Sequence, residues 1–514
     1  MRTIIEKIDV KKIDIRIIQR AGDILKKGGL VAFPTETVYG LGANALDEEA
    51  AKKIYEAKGR PSDNPLIIHI ADVQSLEEIA VNVPEEVEEL AYHFWPGPLT
   101  LILEKSPIVP YGTTGGLDTV AVRMPSDLIA RELILASGGY VSAPSANTSG
   151  RPSPTTAEHV FQDLDGKIDM ILDGGTVEIG LESTILDMTV NPPMILRPGA
   201  VTLDMLEEVL GDVSVDQTIL GSESKVPPKA PGMKYRHYAP KAKLSIVEGT
   251  IREEILAIRQ IAYEAEHHGK KVGIIASNET IGFYTHGVVK NIGTRENEKT
   301  IAKNLYTILR EFDEEEIDEI YSESFSRQGI GRAIMNRLEK AAGHLRISAS
   351  AVVKQQKYHR IVFVSGTDTC RGPMAAEILR KKDLEQEYVI DSRGMVVLFP
   401  EPANQKAEAV MKSMQMTLEN HTAISISESD IGEDILILTF EEKYKEKIIS
   451  EYGNYGNVFT LYEFIGGCSE VEDPYGKPLQ SYGECLEKIA ELMNKLSKEL
   501  NSFTKDADLY KAKK

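Results

Sequence analysis

Phe33-Pro34-Thr35-Glu36-Thr37-Val38-Tyr39-Gly40-Leu41-Gly42 follows directly on the apolar run Leu30-Val31-Ala32. An unbroken apolar run closed by a proline reads as a buried strand, and the threonines place hydroxyls on the turn that leaves it. A strand covered on both faces belongs in α/β layers. Outward from this stretch the same alternation persists. EAAKKIYEAK (49–58) reads as a helix. Leu66–Ile70, Leu99–Leu103 and Met194–Leu196 read as strands, the last stopped at Pro198-Gly199. The fold class is α/β.

A chain of 514 residues exceeds what one hydrophobic core organises, and three domains are expected. The apolar and charged fractions, 42% and 27%, are those of ordinary globular proteins. A formal charge of -20 argues against non-specific nucleic-acid binding, which draws on clustered Lys and Arg. The three cysteines, Cys370, Cys468 and Cys485, form no CxxC pair, so neither a disulfide framework nor a cysteine-rich zinc site is expected. MRTIIEKIDVKKIDIR lacks the pattern of a signal peptide, and no apolar stretch has the length of a membrane span. The expected compartment is the cytoplasm.

Composition changes over residues 211–232, where GSESKVPPKAPG reads as an extended linker. A smaller α/β unit comes next, with a strand at Lys271–Ala276 and helices at 295–312 and Arg332–Ala342. The acidic run Asp313–Glu316 reads as a solvated turn. SAVVKQQKY (350–358) reads as a second connector. Ile361-Val362-Phe363-Val364 opens a third α/β unit, which runs to a terminal helix near 478–502 and a tail, 504–514, expected to fray.

No GxxxxGK[ST] occurs, and no GxGxxG follows a strand, so two standard nucleotide cradles are absent. Three other segments carry anion-binding chemistry. FPTETVYGLG puts hydroxyls after a strand. Lys58-Gly59-Arg60-Pro61-Ser62-Asp63-Asn64-Pro65 puts two cations on a proline-bounded loop. Ala143-Pro144-Ser145-Ala146-Asn147-Thr148-Ser149-Gly150-Arg151-Pro152 is dense in hydroxyl and amide donors. Each alone reads as a tight turn; what points to an anion site is their occurrence together.

Together with FWPGPLTLIL, GLDTVAVRMP, LDGG, GLEST and ILRPG, these segments make residues 1–208 resemble the YrdC domain of threonylcarbamoyl-AMP synthases. Residues 209–240, with APGMKYRHYAP, resemble the interdomain linker of the longer family members. Residues 241–349, ending in RAIMNRLEKAAGH, resemble their second domain. The resemblance implies a twisted open sheet, then a smaller Rossmann-like domain. It implies that L-threonine, bicarbonate and ATP, with Mg²⁺ on the phosphates, give threonylcarbamoyl-adenylate for modification of tRNA at position 37. Lys58 and Arg60 would be catalytic, with Lys58 also touching ATP. Thr35, His69, Thr119 and Arg123 would hold threonine. Asn64, Ser145, Asn147, Ser183, Thr184, Arg197, Tyr235 and Arg236 would hold ATP, the last two on a lid. No side chain is assigned to a metal. The implied partner is the downstream tRNA threonylcarbamoyl transferase machinery. Direct tRNA binding and membrane association are not expected.

Residues 359–503 resemble low-molecular-weight protein tyrosine phosphatases, with a doubly wound parallel sheet. The resemblance rests on the loop Ser365-Gly366-Thr367-Asp368-Thr369-Cys370-Arg371-Gly372-Pro373, on Asp391-Ser392-Arg393-Gly394 and on Asp473-Pro474-Tyr475. The family's nucleophile is a cysteine; this chain has Ser365. Cys370 cannot replace it, because Ala376 stands where an arginine would be needed. Gly372 stands where the family has a supporting hydroxyl. The implication is an anion-binding loop of Ser365, Cys370 and Arg371 with Asp473 idle as acid, since a serine hydroxyl is not a thiolate at neutral pH. Three competing readings are an RNA-binding regulator, a carbamoyltransferase of the hydrogenase-maturation type, and a phosphatase or arsenate reductase with a synthase-like accessory region. Charge, missing CxxC pairs and Ser365 weigh against them in turn.

Overall fold

The computed structural model describes residues 2–216, 219, 238–284, 286–353, 358–384, 386–432, 434–453, 457–465 and 470–511. They divide into two compact units, one of residues 1–248 and 265–347, the other of 249–264 and 348–514. The two α/β segments separated in the sequence by the linker therefore form one unit.

In the first unit the opening strand is Val31–Phe33. Its side chains alternate between two cores: Val31 and Phe33 pack with the helices Ile15–Lys26 and Leu128–Ala136, while Ala32 packs with Leu41, Ile54 and Ile171. Burial on both faces is why the segment is apolar without interruption. A twelve-stranded sheet is built around it among the described residues. From one edge the order is Ile4–Lys7, Met170–Asp173, Val31–Phe33, Gly40–Asn44, Val141–Ala143, Ile67–His69, Thr119–Arg123, Leu99–Lys105, Thr184–Asp187, Met194–Arg197 and Ser214–Val215, with Ala80–Val81 paired to Leu99–Lys105. Parallel and antiparallel pairs are mixed, as in the parallel pairing of Ile67–His69 with Thr119–Arg123 and the antiparallel pairing with Val141–Ala143.

The second sheet of this unit has five strands in the order Val288–Asn291, Val272–Ala276, Glu319–Ser322, Lys243–Glu248 and Arg346–Ser348. Its core takes in Val38 and Leu181, residues of the first sheet's loops. The helix expected at 295–312 spans Glu298–Glu314, and the next spans Gly331–Ala341. The acidic run is a solvated turn only in part: Glu315 and Glu316 form a turn with Glu316 exposed, whereas Asp313 lies within the helix, is buried, and accepts a hydrogen bond from the Lys241 amide at 2.6 Å.

The other unit carries a four-stranded parallel sheet in the order Val389–Gly394, Arg360–Ser365, Ile435–Thr439 and Val458–Thr460. The helix after the loop begins at Arg371, not Met374. The terminal helix spans Leu479–Lys511, so the backbone stays helical through most of the tail expected to fray. Arg259 of residues 249–264 belongs here, 3.5 Å from Glu463 and over the Phe459 ring. No helix among the described residues is long and apolar enough to cross a membrane.

Candidate active site

Lys58 closes the helix Glu48–Lys58, which Asp47 starts by accepting from the Glu49 amide and Gly59 ends at φ 61°. Open space surrounds Gly59, so glycine is required there for its left-handed backbone alone. The turn leaves Lys58 buried, with Nζ donating to the carbonyl oxygens of Ser145 and Asn147. Burial, and then Arg60, push the lysine's pKa well below its ordinary value. Arg60 donates through Nε to the Asn64 carbonyl at 3.3 Å and through Nη2 to the Pro65 carbonyl at 3.0 Å. Burial lowers its pKa to about 10. Among the described residues, both cations are held by carbonyl dipoles and neither is paired with a carboxylate.

Strand register brings the next group together. His69 stands opposite Arg123 on one neighbour and Val141 on the other. Its ring is buried, with Nδ1 3.1 Å from the Ile67 carbonyl. Burial, with Arg123 adding repulsion, lowers its pKa to about 3, so it is neutral at pH 7. Arg123 donates to Thr37 Oγ1 at 2.9 Å and the Gly97 carbonyl at 3.3 Å, and its Nη2 lies 2.7 Å from Glu36 Oε1. Thr35 Oγ1 donates to the Val38 carbonyl at 2.7 Å and accepts from the Thr37 and Val38 amides, which fixes the turn after the strand.

On the facing side, Ser145 Oγ donates to Asn147 Oδ1 at 2.5 Å, and Asn147 Nδ2 donates to the Thr148 and Arg151 carbonyls. Arg197 donates to the Ser183 carbonyl at 3.0 Å and to Ser183 Oγ at 3.1 Å. These groups line one cleft. Of the residues singled out from the sequence, it gathers Thr35, Lys58, Arg60, His69, Arg123, Ser145, Asn147, Ser183 and Arg197.

Three are elsewhere. Thr119 begins the strand that Arg123 ends, four residues or roughly 13 Å away, and lines a different surface cleft with Glu104 and Tyr111. Thr184 Oγ1 donates to the Val201 carbonyl at 2.6 Å. Asn64 is buried, and its carbonyl holds Arg60. Tyr235 and Arg236 lie outside the described residues.

Sequence reasoning missed Thr37, Ser149, Glu182 and Tyr238, which also line the cleft. Glu182 is the most consequential. It is buried and accepts from Ser153 Oγ at 2.6 Å, from the Tyr306 hydroxyl at 2.9 and 3.0 Å, and from Arg337 Nε at 3.0 Å. Burial favours its neutral form, yet Arg337, Arg197 and the Ser153 hydroxyl outweigh this and bring its pKa to about 2. Tyr238 stacks on Tyr306 at 5.2 Å. Tyr306 and Arg337 come from the second α/β segment, as does Arg310, which donates to both oxygens of buried Asp163 at 3.2 and 3.0 Å. Asp163 in turn accepts from the Thr148 amide. The loop closes on that segment at Gly180 (φ 82°), where any side chain would meet the Lys303 backbone at 2.6 Å. GLEST marked Glu182 as part of a motif, but its partners Tyr306 and Arg337 lie more than a hundred residues away.

The loop of the other unit ends the strand at Ser365 and enters the helix at Arg371. Arg371 is buried, and its Nη2 lies 2.6 Å from both Glu441 Oε1 and Asp473 Oδ2 while Nη1 donates to the Val471 carbonyl. Cys370 is buried beside the Tyr482 hydroxyl, and burial raises its thiol pKa. Asp473 is thus ion-paired with the arginine, and Glu441, its second carboxylate partner, was not anticipated.

Residues 23–199 match the family model described as "Telomere recombination" (Sua5, YciO and YrdC), and residues 201–343 match the C-terminal domain of threonylcarbamoyl-AMP synthase. Residues 360–506 match the low molecular weight phosphotyrosine protein phosphatase model. The threonylcarbamoyl-AMP synthase of Pyrococcus abyssi is 51% identical over 339 residues, 66% of this chain and 96% of its own. That of Bacillus subtilis is 50% identical, covering 63% and 93%. The crystal structure of P. abyssi Sua5 complexed with L-threonine, 49% identical, covers 67% of this chain and 99% of its own with a TM-score of 0.64.

Proposed function

The chain belongs to the threonylcarbamoyl-AMP synthase family, and on that premise we propose that its first unit converts L-threonine, bicarbonate and ATP into threonylcarbamoyl-adenylate and pyrophosphate. The product would serve N6-threonylcarbamoyladenosine formation at position 37 of tRNA, passing to a downstream transferase. The observation that carries the reading is the cleft itself: Lys58 and Arg60, held by carbonyls and unneutralised, facing a wall of hydroxyl and amide donors.

The chemistry is dictated by charge. Threonine's amine and bicarbonate give a carbamate with loss of water, and the carbamate oxygen attacks the α-phosphorus of ATP. One O–P bond forms, and the bond to pyrophosphate breaks. Both partners are anions, so the protein must supply positive potential and alignment. Lys58 and Arg60 supply the potential. His69, neutral at working pH, donates or accepts a hydrogen bond without adding charge. Thr35 and Arg123 flank the threonine side, where the P. abyssi relative complexed with L-threonine supports the choice of amino acid. Ser145, Asn147, Ser183 and Arg197 flank the nucleotide. Glu182 is the only carboxylate among the described residues lining the cleft, and it is saturated by Ser153, Tyr306 and Arg337. With no free carboxylate at hand, a magnesium ion would enter on the phosphates of ATP and would there supply charge neutralisation for the leaving pyrophosphate. Tyr235 and Arg236, which lie outside the described residues, keep the ATP-contacting role that the family resemblance implies.

The phosphatase-like domain is read as an anion-binding module impaired in hydrolysis, because Ser365 offers no thiolate. Residues 1–349 should release pyrophosphate only when threonine, bicarbonate, ATP and Mg²⁺ are all present. Equal turnover with threonine left out would sink the assignment.

A further inference from the structure

Making a carbamate from threonine leaves one proton in need of a receiver. An amino acid enters as an ammonium ion, and its nitrogen attacks nothing until a proton has gone. Among the described residues lining the cleft, the titratable side chains other than arginine are Lys58, His69, Glu182 and Tyr238. Glu182 is closed by Ser153, Tyr306 and Arg337. His69 stands buried opposite Arg123, and with a pKa of about 3 it is too weak to hold an ammonium proton. Tyr238 keeps its own proton at neutral pH, because burial pushes its hydroxyl up. Lys58 remains.

The surroundings of Lys58 fit an amine better than an ammonium ion. An ammonium has three N–H bonds to place, whereas an amine has two and a lone pair. Nζ donates to the carbonyl oxygens of Ser145 and Asn147. The third acceptor nearby, Asn147 Oδ1, lies at 3.5 Å and already takes the Ser145 hydroxyl at 2.5 Å. Two carbonyls thus use two N–H bonds, and the lone pair is left to the cleft that Lys58 lines. The Ser149 amide donates to the Lys58 carbonyl at 2.8 Å, which ties the two loops together and fixes this arrangement. The charged groups around Nζ are Arg60, Asp163 and Arg310. Arg60 repels a cation, while Asp163 and Arg310 pair with each other at 3.0 Å. Burial, and then Arg60, favour the neutral form.

We propose that Lys58 is the general base of the carbamate step, taking one proton from threonine's ammonium and so becoming the cation that the later attack on phosphorus requires. The inference rests on reading the cleft as the site of threonylcarbamoyl-adenylate synthesis. In the first transfer an N–H bond of the substrate breaks and one forms on Lys58 Nζ. The freed nitrogen then attacks the bicarbonate carbon. A C–N bond forms, a C–O bond breaks, and the hydroxyl leaves as water with the second nitrogen proton. Carbamate, water and a charged Lys58 result. The positive charge is thus made beside the carbamate when it is needed, and is not stored unpaired in a buried cleft between turnovers. Arg60, still charged at neutral pH, supplies the permanent part of the potential.

The test is the pH dependence of kcat/KM for threonine, read as pyrophosphate release by the full-length chain at saturating ATP and bicarbonate between pH 6.5 and 7.5. In the wild type the proton only moves from substrate to enzyme, so the value should change by less than about threefold. Lys58→Ala must lose that proton to water. Its value should rise about tenfold over the same unit, because the free amine grows in that proportion below an α-amino pKa of about 8. Lys58→Arg keeps a charge but offers no lone pair, and should show the slope of Lys58→Ala. A wild-type to Lys58→Ala ratio that stays constant with pH overturns the base and leaves a synthase in which Lys58 acts by charge alone. A Lys58→Arg chain with the flat wild-type profile does the same. If Lys58→Arg does not fold, the Lys58→Ala ratio decides. Wild-type pyrophosphate release that needs no threonine overturns the reading of the cleft, and the inference falls with it.

Discussion

Lys58 and Arg60 in the first unit and Arg371 in the other are all buried or nearly so, and all stand where an anion would be received, yet they are held differently. The first two are fixed by carbonyl oxygens of Ser145, Asn147, Asn64 and Pro65, which orient a cation without cancelling its charge. Arg371 is fixed by two carboxylates, Glu441 and Asp473, which do cancel it. Dipoles leave the field available to an anionic transition state, whereas carboxylates must be displaced or outcompeted first. The partners, more than the cations, therefore separate the cleft proposed for catalysis from the loop proposed for recognition.

The strongest way to break that contrast is at the cations. Lys58→Ala or Arg60→Ala should lower pyrophosphate release by about a hundredfold or more, since each removes charge at the transferring phosphorus. A folded variant with near-normal rates would reduce the loop to a turn.

A second test concerns what lets those cations work, the bracing from the second α/β segment. Arg337→Met leaves Glu182 buried without its main countercharge, and equilibrium unfolding should show a loss of about 3–5 kcal/mol in the first unit. The same carboxylate predicts an acid limb. Its folded pKa, about 2, lies below the ordinary 4.5, so its contribution is intact above pH 4.5 and is lost as pH falls toward 2. Glu182→Gln should flatten that limb. An unchanged limb would show that Glu182 does not pin the two segments together.

Cleavage of the linker between 230 and 240 should cut turnover by roughly tenfold with little change in unfolding midpoint, if the segment closes the cleft during reaction. An unaltered rate after clean cleavage refutes the lid.

At the other pole the effects are small. The wild-type phosphatase-like domain should show no measurable hydrolysis of aryl phosphates. Ser365→Cys should confer slow hydrolysis that Arg371→Ala removes, as restored thiolate chemistry requires. Strong wild-type activity would refute the impaired reading. Glu441→Gln, which frees part of Arg371, should tighten phosphate binding only a few-fold, consistent with the modest worth of one partly exposed ion pair. No change in affinity would mean that Glu441 does not compete with the ligand.

The sequence by itself determined the α/β class, the three segments and most of the cleft. Those features are written locally: an apolar run ended by Pro34, a helix ended by Gly59, turns built from Ser, Asn and Pro. Local chemistry also put Lys58, Arg60, Ser145 and Asn147 on loops where donors could converge. Only the tertiary structure decided how those residues are used. Thr119 and Arg123 share one motif and one strand, yet a strand carries its two ends to different places, so only Arg123 reaches the cleft. Asp313 looked solvated in an acidic run but is buried once the helix runs through it. Glu182 acquires its role from Arg337, 155 residues away, and Glu441 from Arg371, 70 residues away. Pairing across such distances leaves no spacing to read in a single chain, because it is set by which surfaces pack together and not by the order of residues along the backbone.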